Sequence, residues 1–256
     1  MTVCAVLPAA GCGSRLGLRR PKLLTSVTEQ DTIWSLLSRR LEGLVDRIHI
    51  IVSPVDLELF QSVLNERPLG TPVTIGVQPK PAGMGDAVFC GYSAWSQADI
   101  VLVVWGDQVH VSRGTLEAGI QLHQKAPMRI VLPLVSLPDP YVEYLFDEMG
   151  RLTTVRQTRE GDRCQPGGLG DVGAFILSTR GLGDEWAKYL EITGRGTMTA
   201  EVNFLPFLVF LASRDWEVLH LRVADPLEAK GVNTPADLEL FRALYAGGQP
   251  GEALSG

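Results

Sequence analysis

The sequence predicts an α/β fold, a mixed, mostly parallel sheet with helices on both faces and a small β insert. Three observations predict it. Short β-branched apolar runs alternate with helix-patterned segments through the first half of the chain. The runs are apolar throughout rather than alternating, as strands covered on both faces are. After Val135 the pattern changes to turn-rich segments that read as hairpins, and strand and helix patterns then return.

In chain order, "VCAVL" (3–7) reads as a buried strand. Asp31 is the expected N-cap of a helix over Thr32 to Leu41 that ends at Gly43. "RIHIIV" (47–52) is a strand, and Ser53 with Pro54 opens the helix "PVDLELFQSVL". "PVTIGV" (72–77) is a strand followed by a Gly-rich loop and a helix through Ala94. "DIVLVVWGD" (99–107) reads as a buried strand that stops at Gly106. A helix near Gly114 to Gln124 and the strand "RIVLPLV" (129–135) follow. Residues 136–172 hold Pro138, Pro140 and "REGDRCQPGGLGD" and read as hairpins and a loop, the expected small β insert. "VGAFILS" (172–178) returns to a core strand. Helices are expected over 182–191 and 199–213, then a strand "EVLHLRV" (217–223) and a final helix that starts at Thr234 and Pro235. One domain over 1–246 with a frayed tail over 247–256 is the expected organisation.

Composition narrows the function classes. Of 256 residues, 45% are hydrophobic and 20% charged, which is ordinary for a globular domain, and the net charge of -6 argues against broad nucleic-acid binding. Cys4, Cys12, Cys90 and Cys164 have no paired spacing, so neither a zinc site nor a disulfide frame is expected. The N-terminal apolar run lacks a preceding cation and is too short for a secretory signal. No stretch reaches the roughly 18 apolar residues of a membrane span. A cytoplasmic protein with no membrane partner, its mature chain starting near Met1, is the expectation.

Four loops lie beyond the carboxyl ends of expected strands and are unusual in composition. Open α/β sheets bind ligands beyond the carboxyl ends of their strands. In "AAGCGSRLGLRRPK" (9–22), Ala9, Ala10, Gly11, Gly13 and Ser14 allow backbone N–H groups to approach a phosphate chain. Arg15 and Lys22 supply charge there, while Arg19 and Arg20 read as solvated or oligomer-facing. A tight turn before a basic surface stretch is the plainer alternative. In "QPKPAGMGDAV" (78–88), Gln78 can offer an acceptor and a donor to a base edge, and Gly83 and Gly85 can let a base lie on the backbone. A plain βα turn explains the same residues. In "VVWGDQ" (103–108), Gly106 leads to Asp107, a candidate Mg²⁺ ligand or the cap of a short turn. In "EAKGVNTPADL" (228–238), Asn233 reads as a helix cap or as a carbonyl donor to a cation. His49, His110, His123 and His220 share no metal-ligand spacing, and of the tryptophans only Trp105 adjoins a candidate loop.

Taken in this order, the loops resemble the nucleotidyltransferase superfamily of nucleoside-diphosphate-sugar pyrophosphorylases, whose fold is Rossmann-like. The layout is most similar to the uridylyltransferase domain of bacterial N-acetylglucosamine-1-phosphate uridylyltransferases, and "GMGDAV" is similar to UTP–glucose-1-phosphate uridylyltransferases. The resemblance runs from about Val3 to Leu244 and is weak in the middle third. The phosphate motif is matched at Gly11, Gly13, Ser14, Arg15, Pro21 and Lys22, the base-reading Gln at Gln78 with Gly83, and the metal pair at Asp107 and Asn233.

The resemblance implies transfer of NMP, with UMP favoured, from an NTP (UTP or CTP) to a sugar 1-phosphate, with release of pyrophosphate. Arg15 would hold the β/γ-phosphates and Lys22 the α-phosphate, with Mg²⁺ on Asp107 and Asn233. The acceptor nucleophile is already anionic, so no general base is required. The chain departs from the family at acceptor positions: Glu143 stands where a backbone-contacting Gly is usual, Gln157 replaces a Glu, and Asp171 replaces an Asn. The implied acceptor is therefore not N-acetylglucosamine 1-phosphate itself. No hexapeptide-repeat pattern occurs in these 256 residues, so a transferase without the acyltransferase half is expected.

Three other readings compete. A dinucleotide-binding oxidoreductase would need G-x-G-x-x-G, whereas "GCGSRLG" is spaced G-x-G-x-x-x-G, and no acidic residue closes "RIHIIVSP". A cytidylyltransferase acting on a phosphoalcohol or phosphonate suits the changed acceptor positions. A non-catalytic nucleotide or phosphosugar sensor would have less need of two metal donors.

Overall fold

The computed structural model describes residues 1–11, 21–124, 126–193 and 195–246. Its centre is an eight-stranded sheet. β1 (Val3–Pro8) runs parallel to β2 (Arg47–Val52) on one side and to β4 (Ile100–Val104) on the other. β3 (Val73–Val77) continues the parallel row beyond β2 as an edge. Beyond β4 comes β9 (Ala174–Ser178), antiparallel to both β4 and β5 (Arg129–Ser136). β10 (Glu217–Arg222) runs parallel to β5 at the far edge, and β8 (Leu169–Asp171) pairs antiparallel with the end of β5.

Side-chain alternation along β1 shows why its sequence is apolar at every position. Val3, Ala5 and Leu7 join one core with Ile48, Ile50 and Leu102, whereas Cys4 and Val6 join another with Ile51, Val101 and Val103. The first core is closed by α1 (Ile33–Leu41), α2 (Leu57–Glu66), α5 (Arg113–His123) and α8 (Pro235–Ala246), through Leu37, Phe60, Leu116 and Phe241. The second is closed by α3 (Met84–Cys90), α4 (Tyr92–Trp95), α6 (Leu182–Ile192) and α7 (Leu205–Ala212), through Val88, Trp95, Trp186 and Phe207. The antiparallel hairpin of β6 (Val142–Phe146) and β7 (Leu152–Gln157) also packs on this second face, through Tyr144, Leu152 and Val155. The sheet is mixed and mostly parallel, with helices on both faces, as expected.

Three expectations about local structure are corrected. Thr32, not Asp31, caps α1: its hydroxyl accepts from Ser35 N at 3.1 Å, and Ser35 Oγ returns the bond to Thr32 N at 3.0 Å. Asp31 instead accepts from Ser35 Oγ and Arg39. The helix expected through Ala94 divides at Gly91 into α3 and α4. A Cβ at Gly91 would lie 2.6 Å from His49 Nε2, so this glycine permits the close approach of β2. The helix expected over 199–213 starts only at Leu205, with Pro206 in its first turn. The residues before it form a turn in which Ala200 takes φ of 55°. No helix among the described residues is long and apolar enough to cross a membrane.

Candidate active site

Because β1, β3, β4 and β10 share one direction, the segments that follow them emerge at one end of the sheet. There they line a cleft of about 220 Å³ that opens to solvent. Ala9, Ala10, Gly11, Lys22, Gln78, Gly83, Gly106 and Asp107 all face it. Gly13, Ser14 and Arg15 lie outside the described residues.

Lys22 begins a short 3-10 turn (Lys22–Leu24) whose Leu23 and Leu24 are buried, which fixes the direction of its side chain. Its ammonium donates to Asp107 Oδ2 at 3.0 Å and to Asn233 Oδ1 at 2.8 Å. The two oxygens arrive from distant segments joined by backbone bonds. Gln108 and Gly231 form an isolated antiparallel bridge, and Val232 N donates to Asp107 O at 2.9 Å. A Cβ at Gly231 would lie 2.9 Å from Asp107 Cγ, so the glycine of "KGVN" is required by this approach. Buried Glu228 adds a second tie, accepting from Ser112 N at 2.9 Å and Thr115 Oγ1 at 3.0 Å at the start of α5.

Asn233 is not the cap of α8. Thr234 Oγ1 accepts from Asp237 N at 3.2 Å while Asp237 Oδ2 accepts from Thr234 N at 2.8 Å. The Asn233 amide oxygen instead accepts from Lys22, and Asn233 itself is not among the described residues lining the cleft. Mg²⁺ favours hard oxygen donors and usually takes one or two carboxylates, with water and substrate phosphates completing its shell. Asp107 and Asn233 are donors of that kind, and they already converge on one cationic centre. The described residues hold no cluster of three His, Cys, Asp or Glu suited to a metal, so such an ion would depend on phosphate and water for its remaining ligands.

Gln78 is buried, and its amide nitrogen donates to Asp86 Oδ2 at 2.7 Å and to Gly83 O at 3.2 Å. Both partners are pure acceptors, which fixes the amide orientation. The expected pair of acceptor and donor is therefore reduced to one: the amide nitrogen is engaged within the protein, and the oxygen is the group that remains. Gly83 has φ of 117°, and a Cβ there would lie 2.7 Å from both N and O of Val202. One at Gly85 would lie 2.5 Å from the Trp186 ring. Their bare Cα atoms admit the chain around Val202, and Gly83 also lines the cleft. Gly106 is similarly required by Pro8 O, 3.0 Å from its would-be Cβ. The ring of Trp105 packs against Phe175 and Phe204 beside these loops.

Glu143, Gln157 and Asp171 are not among the described residues lining the cleft. Glu143 is buried in the hairpin, where it accepts from Arg156 Nη1 and Gln165 N, both at 3.1 Å. Gln157 is buried at the end of β7. Asp171 accepts from Tyr144 OH at 3.0 Å and Gly173 N at 2.8 Å. Burial pushes its carboxyl above the usual range against these two bonds, and the Asp107 charge adds to the push. Two charged residues that the sequence alone did not single out also line the cleft: Arg159, just past β7, and Glu201, before α7. They are brought together only by the tertiary fold, so no local spacing announces them.

The sequence matches the MobA-like NTP transferase domain over residues 5–166. The chain is 25% identical over 245 residues to the bifunctional protein GlmU of Acidithiobacillus ferrooxidans, covering 94% of this chain and 51% of that protein. It is 25% identical over 249 residues to the GlmU of Aquifex aeolicus, covering 92% and 52%. The chain thus spans about half the length of these curated relatives. Among solved structures, a glucose-1-phosphate thymidylyltransferase of Bacillus anthracis, crystallised with sucrose, superposes with a TM-score of 0.76 at 16% identity, covering 98% of each chain. That likeness shows a shared fold. The family match spans more than half of the chain and includes the strand ends that carry Lys22, Gln78 and Asp107, and the chain belongs to the MobA-like NTP transferase domain family.

Proposed function

We propose that the protein transfers a nucleoside monophosphate, UMP first among the candidates, from an NTP to a sugar 1-phosphate with release of pyrophosphate. The observation that carries this reading is that Asp107 and Asn233 meet at the ammonium of Lys22, in a cleft that Lys22, Asp107 and Gln78 line. An oxygen of the acceptor phosphate forms a bond to the α-phosphorus, the α–β bridging bond breaks, and its electron pair leaves with pyrophosphate. No proton transfer is needed, so positioning and charge compensation supply the catalysis.

In this reading Lys22 holds the α-phosphate, and Arg15, outside the described residues, holds the β/γ-phosphates. The nucleotide lies against Ala9, Ala10 and Gly11, with Gly13 and Ser14 as further contacts. The Gln78 oxygen accepts an N–H from the base, which suits the uracil imide. Asp107 and Asn233 would hold Mg²⁺, which would supply positive charge to compensate the phosphates. Substrates of this kind belong to the cytoplasm.

The same Gln78 oxygen could accept from the cytosine amino group, and none of the family's acceptor positions lines the cleft. A cytidylyltransferase acting on a phosphoalcohol or phosphonate is therefore the second reading. Pyrophosphate release measured for UTP, CTP, dTTP, ATP and GTP against a panel of sugar 1-phosphates and phosphoalcohols separates the two. UTP with a sugar 1-phosphate is expected to turn over fastest. CTP with a phosphoalcohol turning over fastest favours the second reading, and no turnover with any pair leaves a nucleotide sensor.

A further inference from the structure

Arg159 and Glu201 line the cleft together with Lys22 and Gln78, and the segment that carries Glu201 packs against Gly83, whose would-be Cβ lies 2.8 Å from Glu201 Cβ. The Arg159 guanidinium lies 3.1 Å from Glu201 Oε2, donates to Asn203 Oδ1, and sits 3.9 Å from Glu160 Oε1. Glu160 is the rivet of this arrangement. Its carboxylate accepts from Thr199 Oγ1 at 2.5 Å, Asn203 Nδ2 at 3.0 Å and Met198 N at 3.0 Å, tying the end of the β6–β7 hairpin to the turn before α7. Burial works against the Glu160 charge, but these bonds outweigh it and hold the carboxyl down at about 2.

The partners of Arg159 are unequal. The Glu160 side chain is 10% exposed and locked by its own bonds, whereas that of Glu201 is 38% exposed. Exposed ion pairs contribute little, so an incoming phosphate dianion can replace Glu201 while Asn203 and Glu160 keep the guanidinium in place. A phosphate also suits the planar fork of arginine. Among the described residues lining the cleft, Lys22 and Arg159 are the two cations, and Lys22 is engaged by Asp107 and Asn233. Once displaced, Glu201 is an acceptor-only carboxylate beside the bound phosphate, placed to receive a hydroxyl proton.

We propose that Arg159 and Glu201 are the acceptor-recognising pair of this chain: Arg159 binds the phosphate of a phosphomonoester, and Glu201 accepts a hydrogen bond from a nearby hydroxyl of the same molecule. The proposal rests on the transferase reading and deepens it, assigning acceptor choice to residues other than Glu143, Gln157 and Asp171.

The test is steady-state kinetics of the full chain and its Arg159→Met, Arg159→Lys and Glu201→Gln variants on the best pair from the pyrophosphate-release panel. Arg159→Met is expected to raise the acceptor KM tenfold or more while the NTP KM stays within twofold, with Arg159→Lys recovering part of the loss. Glu201→Gln is expected to raise the KM of hydroxyl-bearing acceptors but not of their deoxy analogues. An unchanged acceptor KM in Arg159→Met, or equal rises in both KM values, overturns the proposal. Should the unsubstituted chain release no pyrophosphate with any pair, the transferase reading fails by itself. Calorimetric binding of glucose 1-phosphate then decides the proposal: affinity lost in Arg159→Met supports it, while equal affinity, or none in the unsubstituted chain, overturns it.

Discussion

Asn233 lies 211 residues after Lys22 in sequence, yet its Oδ1 accepts from the Lys22 ammonium at 2.8 Å, with Asp107 Oδ2 only 3.0 Å from the same nitrogen. Two oxygen donors from opposite parts of the chain thus hold one cationic centre at the carboxyl end of the sheet. The backbone bridge between Gln108 and Gly231 fixes them there before any substrate arrives. Preorganisation of this kind lets a site stabilise developing charge without rearranging at the moment of reaction.

Removing either oxygen tests the site without disturbing the core. Asp107→Ala and Asn233→Ala are each expected to lower pyrophosphate release by about a hundredfold or more. Circular dichroism and thermal midpoints close to those of the unsubstituted chain should accompany the loss. Full activity in Asp107→Ala removes the metal assignment.

Lys22→Met separates the two cations. Turnover is expected to fall about a hundredfold or more, because the α-phosphate loses its partner. Asp107 and Asn233, freed of the ammonium, are expected to take Mn²⁺ more tightly in the absence of nucleotide, which electron paramagnetic resonance titration measures. Weaker Mn²⁺ binding in the variant contradicts the shared position of lysine and metal.

Gly83 is required by its backbone and by its neighbour. With φ of 117° and Val202 backbone atoms 2.7 Å from a would-be Cβ, Gly83→Ala is expected to destabilise the fold by about 2–3 kcal/mol. Urea denaturation monitored by fluorescence reads this directly. A change below about 0.5 kcal/mol would mean that the Val202 segment yields easily.

Glu160 predicts a pH dependence with a definite sign. Its carboxyl falls from the usual 4.5 to about 2 in the fold, so the folded state binds its proton less readily than the unfolded chain. The stabilisation is fully present above pH 4.5 and is lost as pH falls toward 2. Amide protection of residues 196–203, corrected for the intrinsic pH dependence of hydrogen exchange, should fall across that window. Glu160→Gln should show low protection at neutral pH, with no further response on acidification.

Much of the fold was legible because strand and helix patterns here depend on neighbouring residues. The runs at 3–7, 47–52 and 129–135 all became strands, their two-sided burial written as unbroken apolar sequence. The errors came where distant contacts decide. The helix divides at Gly91, where a Cβ would meet His49, and the residues before α7 form a turn bonded to Glu160 of the hairpin. The site divides in the same way. Lys22, Gln78, Asp107 and Asn233 stand in loops whose composition marks them, whereas Arg159 and Glu201 meet only through the packing of the hairpin against α7. Gly83 and Gly85 were visible as glycines, but their reason, the passage of Val202, lies in tertiary contact.

The most direct test of the central claim, that the cleft is a nucleotidyl-transfer site, is Mg²⁺-dependent pyrophosphate release from UTP and a sugar 1-phosphate, measured in parallel for the unsubstituted chain and Asp107→Ala. Release that requires both substrates and the metal, and that falls about a hundredfold in the variant, is the predicted result. Release that is absent with every NTP and acceptor pair, or that is unchanged in Asp107→Ala, would contradict it.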